Sequence, residues 1–203
     1  MANTKPKEAS IGLRAKTGRA IAVVLSMPAG APRFIRRTEL SLTDPAVPAT
    51  GQPYHVVMEL PWGEATIAVR KINAKIEIIA SKALARLVRE VESEGLIVRS
   101  VGIAGAGNRD LEKIGSTHIR AHAAEGVLFR HALEVAAAHN KLSCRAFDER
   151  TIDDIAGADL KRPLAEVKNH LAEMGRIAGS PWRADEKAAA TAAWLALAGR
   201  ARK

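Results

Sequence analysis

Residues 11–25 read IGLRAKTGRAIAVVL and have the composition of strand material at the start of a β-sheet. Residues 21–25 form a short, continuously apolar run, which is typical of a strand that is buried on both of its faces. Residues 15–18 separate the two apolar runs and have the composition of a turn. Residues 28–32 are a turn signal, and residues 34–42 predict a second, antiparallel strand, so we expect the fold to begin with an antiparallel hairpin.

Alternating helices and strands are predicted on the C-terminal side of this hairpin. Residues 54–60 fit either a short strand or the start of a helix. Residues 64–94 carry apolar residues three or four apart, which indicates a helix. An unbroken helix there would be about 46 Å long, so we expect a break within it. The later predicted elements are a strand at 96–104, a helix from Ser116 or Thr117 to His139, a strand at 142–147, a helix around 164–174 and a final helix at 184–198.

This order predicts an α/β fold with a mixed sheet. The N-terminal hairpin is antiparallel, and the later alternation of strands and helices implies parallel pairing through right-handed crossovers. We expect a disordered tail over residues 1–9 and a single domain over residues 10–200. Residues 148–159 carry five acidic side chains against Arg150 alone, and they are predicted to be a solvated loop.

The composition excludes several classes of protein. No apolar run approaches the roughly 18 residues that a membrane helix needs, so we expect no membrane partner. Cys144 is the only cysteine, which excludes a disulfide within one chain and a cysteine-rich zinc site. The expected setting is therefore the reducing cytoplasm.

The chain is basic, and the excess charge lies near its N-terminus. It has 31 lysines and arginines against 22 acidic residues, a net charge of +9, and eight of the basic residues fall within residues 1–37. Such a balance favours polyanions, DNA or RNA among them, although a charged sheet edge that resists aggregation has the same composition. Aromatic residues are only 3% of the chain, which argues against a site built on stacked bases. The candidate nucleic-acid-binding residues are Lys16, Arg19, Arg33, Arg36 and Arg37.

The predicted order of elements, together with two short stretches, resembles the ribonuclease H-like superfamily on its RuvC resolvase-like side. Residues 11–23 resemble the first strand and turn of that family, and Asp185-Glu186-Lys187-Ala188 resembles the start of its final helix. The resemblance implies a ribonuclease H-like fold and a nuclease site in which clustered carboxylates hold divalent metal ions.

The same alignment shows that most of these carboxylates are missing. Arg14 stands where the family has its first-strand aspartate, and the mid-sheet acid falls near Ala104 or Gly105, with Asp110 the nearest acidic residue downstream. Asp185 matches in the final helix, but Ala188 replaces its partner one turn later. The resemblance therefore implies that the usual chemistry is lost or rebuilt elsewhere, as in a pseudoenzyme.

A second candidate site lies at the start of the predicted helix 117–139. His118, His122 and Glu125 share one helix face at a spacing that can chelate zinc, although a polar face with partly exposed histidines has the same pattern. Ligands of open α/β sheets bind at the edge where such helices begin, which favours this cluster. We expect no assured cofactor, and a divalent metal ion if the protein is an enzyme.

Three functions remain open. The first is a non-catalytic nucleic-acid-binding or scaffold protein on a ribonuclease H-like core. The second is a metal-dependent nuclease or phosphodiesterase with a displaced site. Its candidate catalytic residues are Asp185, Asp110 and Glu125, and its candidate metal ligands are His118, His122 and Glu125. The third is a homo-oligomeric structural protein.

Overall fold

The computed structural model describes residues 7–28 and 31–200, with the backbone alone at Arg200. A five-stranded mixed sheet has the order β3-β2-β1-β4-β5, with β1 antiparallel to β2, β2 antiparallel to β3, and β4 parallel to both β1 and β5. The strands are β1 (Lys7–Lys16), β2 (Arg19–Ser26), β3 (Arg33–Ser41), β4 (Leu96–Gly105) and β5 (Ser143–Asp148). The predicted α/β fold class is confirmed.

Seven helices cover the two faces of the sheet among the described residues. They are α1 (Pro53–Val56), α2 (Trp62–Ala68), α3 (Arg70–Ser93), α4 (Thr117–His139), α5 (Ile152–Leu160), α6 (Leu164–Ala178) and α7 (Ala184–Arg200). The expected break in the long helical segment lies at Val69, between α2 and α3. None of the helices in these ranges combines the length and the hydropathy that a membrane span requires.

The alternation of side chains along β2 builds two hydrophobic cores. Ala22 and Val24 are buried towards α3 and α4, whereas Val23 and Leu25 are buried towards α5, α6 and α7. Successive residues of a strand point to opposite faces, so a continuously apolar strand is the one that both layers can cover. The apolar run 21–25 therefore explains why the hairpin strand lies inside the sheet.

Two glycines allow α7 to lie directly on the centre of the sheet. Gly12 of β1 is opposite Gly102 of β4 in the parallel register. A Cβ atom at Gly12 would overlap the backbone of Ala189, and one at Gly102 would overlap the backbone of Ala192. The alanine-rich α7 and the glycine pair are thus complementary, and the contact brings the N-terminus of α7 to the ends of β1 and β4.

Two sequence-based expectations need correction, and one open alternative is decided. Residues 7–9 belong to β1 rather than to a disordered tail, and residues 1–6 lie outside the described residues. Residues 152–160 of the predicted acidic loop form α5, because Ile152 and Ala156 share a buried face and acidic residues in the first turn favour a helix N-terminus. The ambiguous segment 54–60 contains the short helix α1 followed by turns. The single domain over residues 10–200 stays a prediction.

Candidate functional site

Arg14 lies at the C-terminal end of β1, beside Ala104 of β4, and its guanidinium contacts two carboxylates. It forms an ion pair with Glu149, which follows β5, and its Nε lies 3.3 Å from Oδ1 of Asp185 in the first turn of α7. Nζ of Lys16 lies 3.5 Å from the same Asp185 oxygen. The Arg14 side chain is 13% exposed, so it occupies the interior of this cluster rather than its surface.

The Arg14 cluster does not fit a pair of divalent metal ions. An arginine remains charged at any physiological pH, and here its guanidinium already neutralises the carboxylates that such ions would need. The end of β4 supplies Ala104 and Gly105 at this level, neither of which can ligate a cation through its side chain. Asp110 lies on the following loop and pairs with Lys113 at 2.8 Å. A further cation at this point would be repelled by Arg14.

The five residues predicted to bind nucleic acid do not form one patch. Arg36 pairs with Glu90 of α3 and with Glu94, which follows α3, whereas Arg37 donates to backbone carbonyls of residues 179–181 on the opposite face of the sheet. Arg19 pairs with Glu39 at 3.3 Å along the antiparallel strands. Arg33 is exposed at the start of β3. Of the five, only Lys16 lies in the Arg14 cluster.

A groove at the C-terminal ends of β1 and β4 brings Lys16 together with residues that the sequence analysis did not group. Arg14, Lys16 and Arg109 line it, with Glu149 as the one acidic side chain, and His122 borders it. Arg109 was missed because it lies in an irregular loop, where no periodicity indicates which way a side chain points. Asp185 also lies beside Arg14 and Lys16, so three basic groups face two acidic ones and Arg109 accounts for the excess of positive charge.

A histidine cluster lies at the border of the same groove. His118 and His122 occupy the first turns of α4, where Ser116 caps the helix by accepting a hydrogen bond from the backbone N–H of Ile119. Their Nε2 atoms are 3.1 Å apart. His55 of α1 joins them, with ring centroids 5.2 Å from His118 and 4.3 Å from His122.

Glu125 lies behind this cluster rather than in it. Its side chain is fully buried, and Oε1 accepts hydrogen bonds from Nδ1 of His55 at 2.8 Å and from the His55 backbone N–H at 3.3 Å. One potential ligand atom of each of His55, His118 and His122 lies within 4.8 Å of the others. The candidate catalytic residues Asp185, Asp110 and Glu125 are not part of this three-residue group.

His55 was missed because the sequence separates it from His118 by more than sixty residues. The packing of α1 on α4 joins them, and it is supported by the stacking of Tyr54 on Trp62, with centroids 5.5 Å apart. The guanidinium of Arg120 lies 5.8 Å from the centre of the Trp62 ring. No spacing rule within the sequence predicts this contact.

The comparisons with known proteins assign the fold. The strand order, the crossovers and the terminal α7 are those of a ribonuclease H-like fold, and solved structures with this fold match nearly the whole chain. The chain is similar to RuvC of Thermus thermophilus, with 11% identity, 92% of each chain covered and a TM-score of 0.51. It is equally similar to T. thermophilus RuvC in complex with a Holliday junction substrate, with 12% identity, coverage of 93% of this chain and 92% of that one, and a TM-score of 0.51.

No family model and no curated protein matches the sequence. At these identities the likeness to RuvC concerns the fold alone. The predicted ribonuclease H-like fold is confirmed, and the chemistry has to be argued from the side chains of this chain.

Proposed function

We propose that this protein binds nucleic acid through the groove lined by Arg14, Lys16 and Arg109, and that it does not cut by two-metal catalysis. The observation that carries the proposal is the Arg14 cluster. The Arg14 guanidinium lies at the end of β1 and is paired with Glu149 and Asp185. An arginine side chain therefore stands where the resembling nucleases hold metal ions. A site of this kind lacks the Lewis acid of the nuclease reaction, while Lys16 and Arg109 in the same groove can contact phosphate.

The composition and the fold support this proposal independently. With 3% aromatic residues, the chain favours contacts to the phosphate backbone over stacking on bases. One structure that shares the fold, T. thermophilus RuvC, is known in complex with a Holliday junction substrate. Cys144 as the sole cysteine agrees with a cytoplasmic protein that meets nucleic acid in a reducing setting.

The geometry favours binding over a displaced nuclease built from the three candidate acids. Asp185 is engaged with Arg14 and Lys16, Asp110 pairs with Lys113 on a loop, and Glu125 is buried behind His55. Each of these three carboxylates is engaged with different partners, so they do not form one catalytic group. Homo-oligomerisation remains a prediction that sedimentation at high protein concentration checks.

Fluorescence anisotropy tests the proposed function. The full chain is titrated against a labelled four-way DNA junction, a duplex and single strands of DNA and RNA at low salt, and each mixture is then incubated with Mg²⁺ or Mn²⁺. We expect binding to at least one of these probes and no cleavage.

A double variant, Lys16→Ala with Arg109→Ala, should weaken that binding, whereas Lys71→Ala with Lys82→Ala, which removes two exposed lysines of α3, serves as a charge-matched control. The absence of binding to every probe, or metal-dependent cleavage that Asp185→Asn abolishes, contradicts the proposal.

A further inference from the structure

The histidine cluster has the geometry of a metal site that nothing in the ribonuclease H-like fold requires. Zinc bound tetrahedrally by imidazoles has Zn–N distances of about 2.0–2.1 Å, which places the ligand nitrogens roughly 3.3–3.4 Å apart. The Nε2 atoms of His118 and His122 are 3.1 Å apart without any ion, within a few tenths of an ångström of that spacing. The i, i+4 positions on α4 fix both rings on one face, so little rearrangement is needed.

His55 is held in the tautomer that a metal ligand needs. Its Nδ1 lies 2.8 Å from Oε1 of Glu125, and a carboxylate can only accept, so Nδ1 carries the proton. Nε2 of His55 is then the nitrogen with a lone pair, and it is buried without a hydrogen-bond partner among the described residues. A carboxylate behind a histidine is the usual arrangement that orients an imidazole towards a metal ion.

Glu125 supplies the charge that a bound cation compensates. Its side chain is fully buried and its second oxygen, Oε2, has no partner among the described residues. A buried carboxylate is costly unless a positive charge lies near it. The donor set of three neutral nitrogens suits zinc and similar transition metals, whereas Mg²⁺ and Ca²⁺ prefer oxygen.

We propose that His55, His118 and His122 bind one divalent transition-metal ion of the zinc class, with Glu125 as the positioning residue for His55. His118 and His122 are exposed, so the remaining coordination position faces solvent at the border of the groove that His122 lines. The ion links α1 to α4 across a long stretch of sequence. Its ligands are distinct from the residues of the Arg14 cluster, and the proposal does not rest on nucleic-acid binding.

Calorimetry with chelator-treated full-length protein and ZnCl₂ tests the proposal. We expect one ion per chain, and a melting temperature that rises by roughly 5–11 °C at a hundredfold excess of zinc over its dissociation constant. Co²⁺ should occupy the same site and give the visible spectrum of a tetrahedral complex.

Variants separate ligation from folding. His118→Gln changes an exposed side chain, so it should leave the melting temperature of the metal-free protein unchanged and abolish zinc binding. His131→Gln, on the same helix and outside the cluster, should bind zinc like the wild type. Glu125→Gln should keep the stoichiometry and weaken the affinity by about 10- to 100-fold.

Two results overturn the proposal. One is zinc binding that is absent, or that is the same in His118→Gln as in the wild type. The other is a melting temperature that does not change when zinc is added to the chelator-treated protein.

Discussion

Removing the charge of Arg14 should destabilise the protein by an amount that the geometry of its ion pairs bounds. Nε of Arg14 lies 3.3 Å from Oδ1 of Asp185. Two unit charges at that separation attract by about 1 kcal/mol in water and by about 5 kcal/mol at an effective dielectric constant of 20. The Asp185 and Glu149 side chains are each 33% exposed, so water screens the pairs and the lower half of that range applies.

We therefore expect Arg14→Met, which keeps the aliphatic length and removes the charge, to lose roughly 2 kcal/mol of unfolding free energy. For a chain of this size that is a fall of about 4–8 °C in melting temperature. Arg86→Met is the matched control, because Arg86 is 67% exposed and lies 3.9 Å from Glu90 on α3. This exposed pair should contribute less than about 1 kcal/mol.

Arg14→Asp extends the same test to metal binding. It places a third carboxylate beside Glu149 and Asp185, so the metal-free protein should melt below Arg14→Met. Mn²⁺ should then bind at the Arg14 cluster of the Arg14→Asp variant and raise its melting temperature. It should not bind at that cluster in the wild type, so binding there should leave the wild-type melting temperature unchanged. Differential scanning calorimetry in a chelating buffer, followed by Mn²⁺ addition to proteins that also carry His118→Gln, isolates this effect. The reasoning is refuted if Arg14→Met melts within about 1 °C of the wild type, or if Mn²⁺ stabilises both proteins equally.

Three further predictions concern the packing of α7, the lone thiol and a surface ion pair. Gly102→Ala should lower the free energy of unfolding by several kcal/mol in chemical denaturation, because the added Cβ overlaps the α7 backbone. Gly63→Ala, whose Cβ meets nothing within 4 Å, should be neutral or stabilising. Equal effects of the two substitutions would contradict the packing argument. Partial desolvation, together with the nearby charge of Glu134, raises the pKa of the Cys144 thiol to about 11. Alkylation of Cys144 near pH 8 should therefore be far slower in the native protein than in the unfolded protein. Equal alkylation rates would contradict this prediction. The hydrogen bond from Lys75 lowers the pKa of the Asp44 carboxyl. The pair therefore stabilises the fold above the pKa of Asp44 in the unfolded chain, and this stabilisation is lost as the pH falls through the folded pKa. Asp44→Asn should remove part of the acid dependence of the melting temperature.

Local sequence patterns were sufficient for most of the fold. The apolar run 21–25 identified an interior strand, and the helix cap at Ser116 was predicted within one residue, because burial on both faces and N-capping are properties of neighbouring residues. The acidic residues of α5 concealed its helix, since a run of charges was interpreted as a solvated loop. Its buried face consists of only two residues, Ile152 and Ala156, which is too short a pattern to indicate a helix.

The candidate site was less predictable because tertiary contacts assemble it. The resemblance to the ribonuclease H-like superfamily placed Arg14 where that family has its first-strand aspartate. The two carboxylate partners of Arg14 come from different elements, Glu149 after β5 and Asp185 at the start of α7. His55 reaches His118 and His122 only because α1 packs on α4. For the same reason Glu125, expected as a ligand, lies behind His55.

The salt dependence of nucleic-acid binding tests the central claim most directly. The logarithm of the association constant is measured against the logarithm of the salt concentration for the wild type and for Lys16→Ala with Arg109→Ala, on whichever probe binds most tightly. Removing one phosphate-binding side chain should reduce the magnitude of the slope by about 1, so we expect the double variant to be shallower by roughly 2, and Lys71→Ala with Lys82→Ala to match the wild type. A double variant with an unchanged slope and affinity would contradict the assignment of this groove as the nucleic-acid-binding surface.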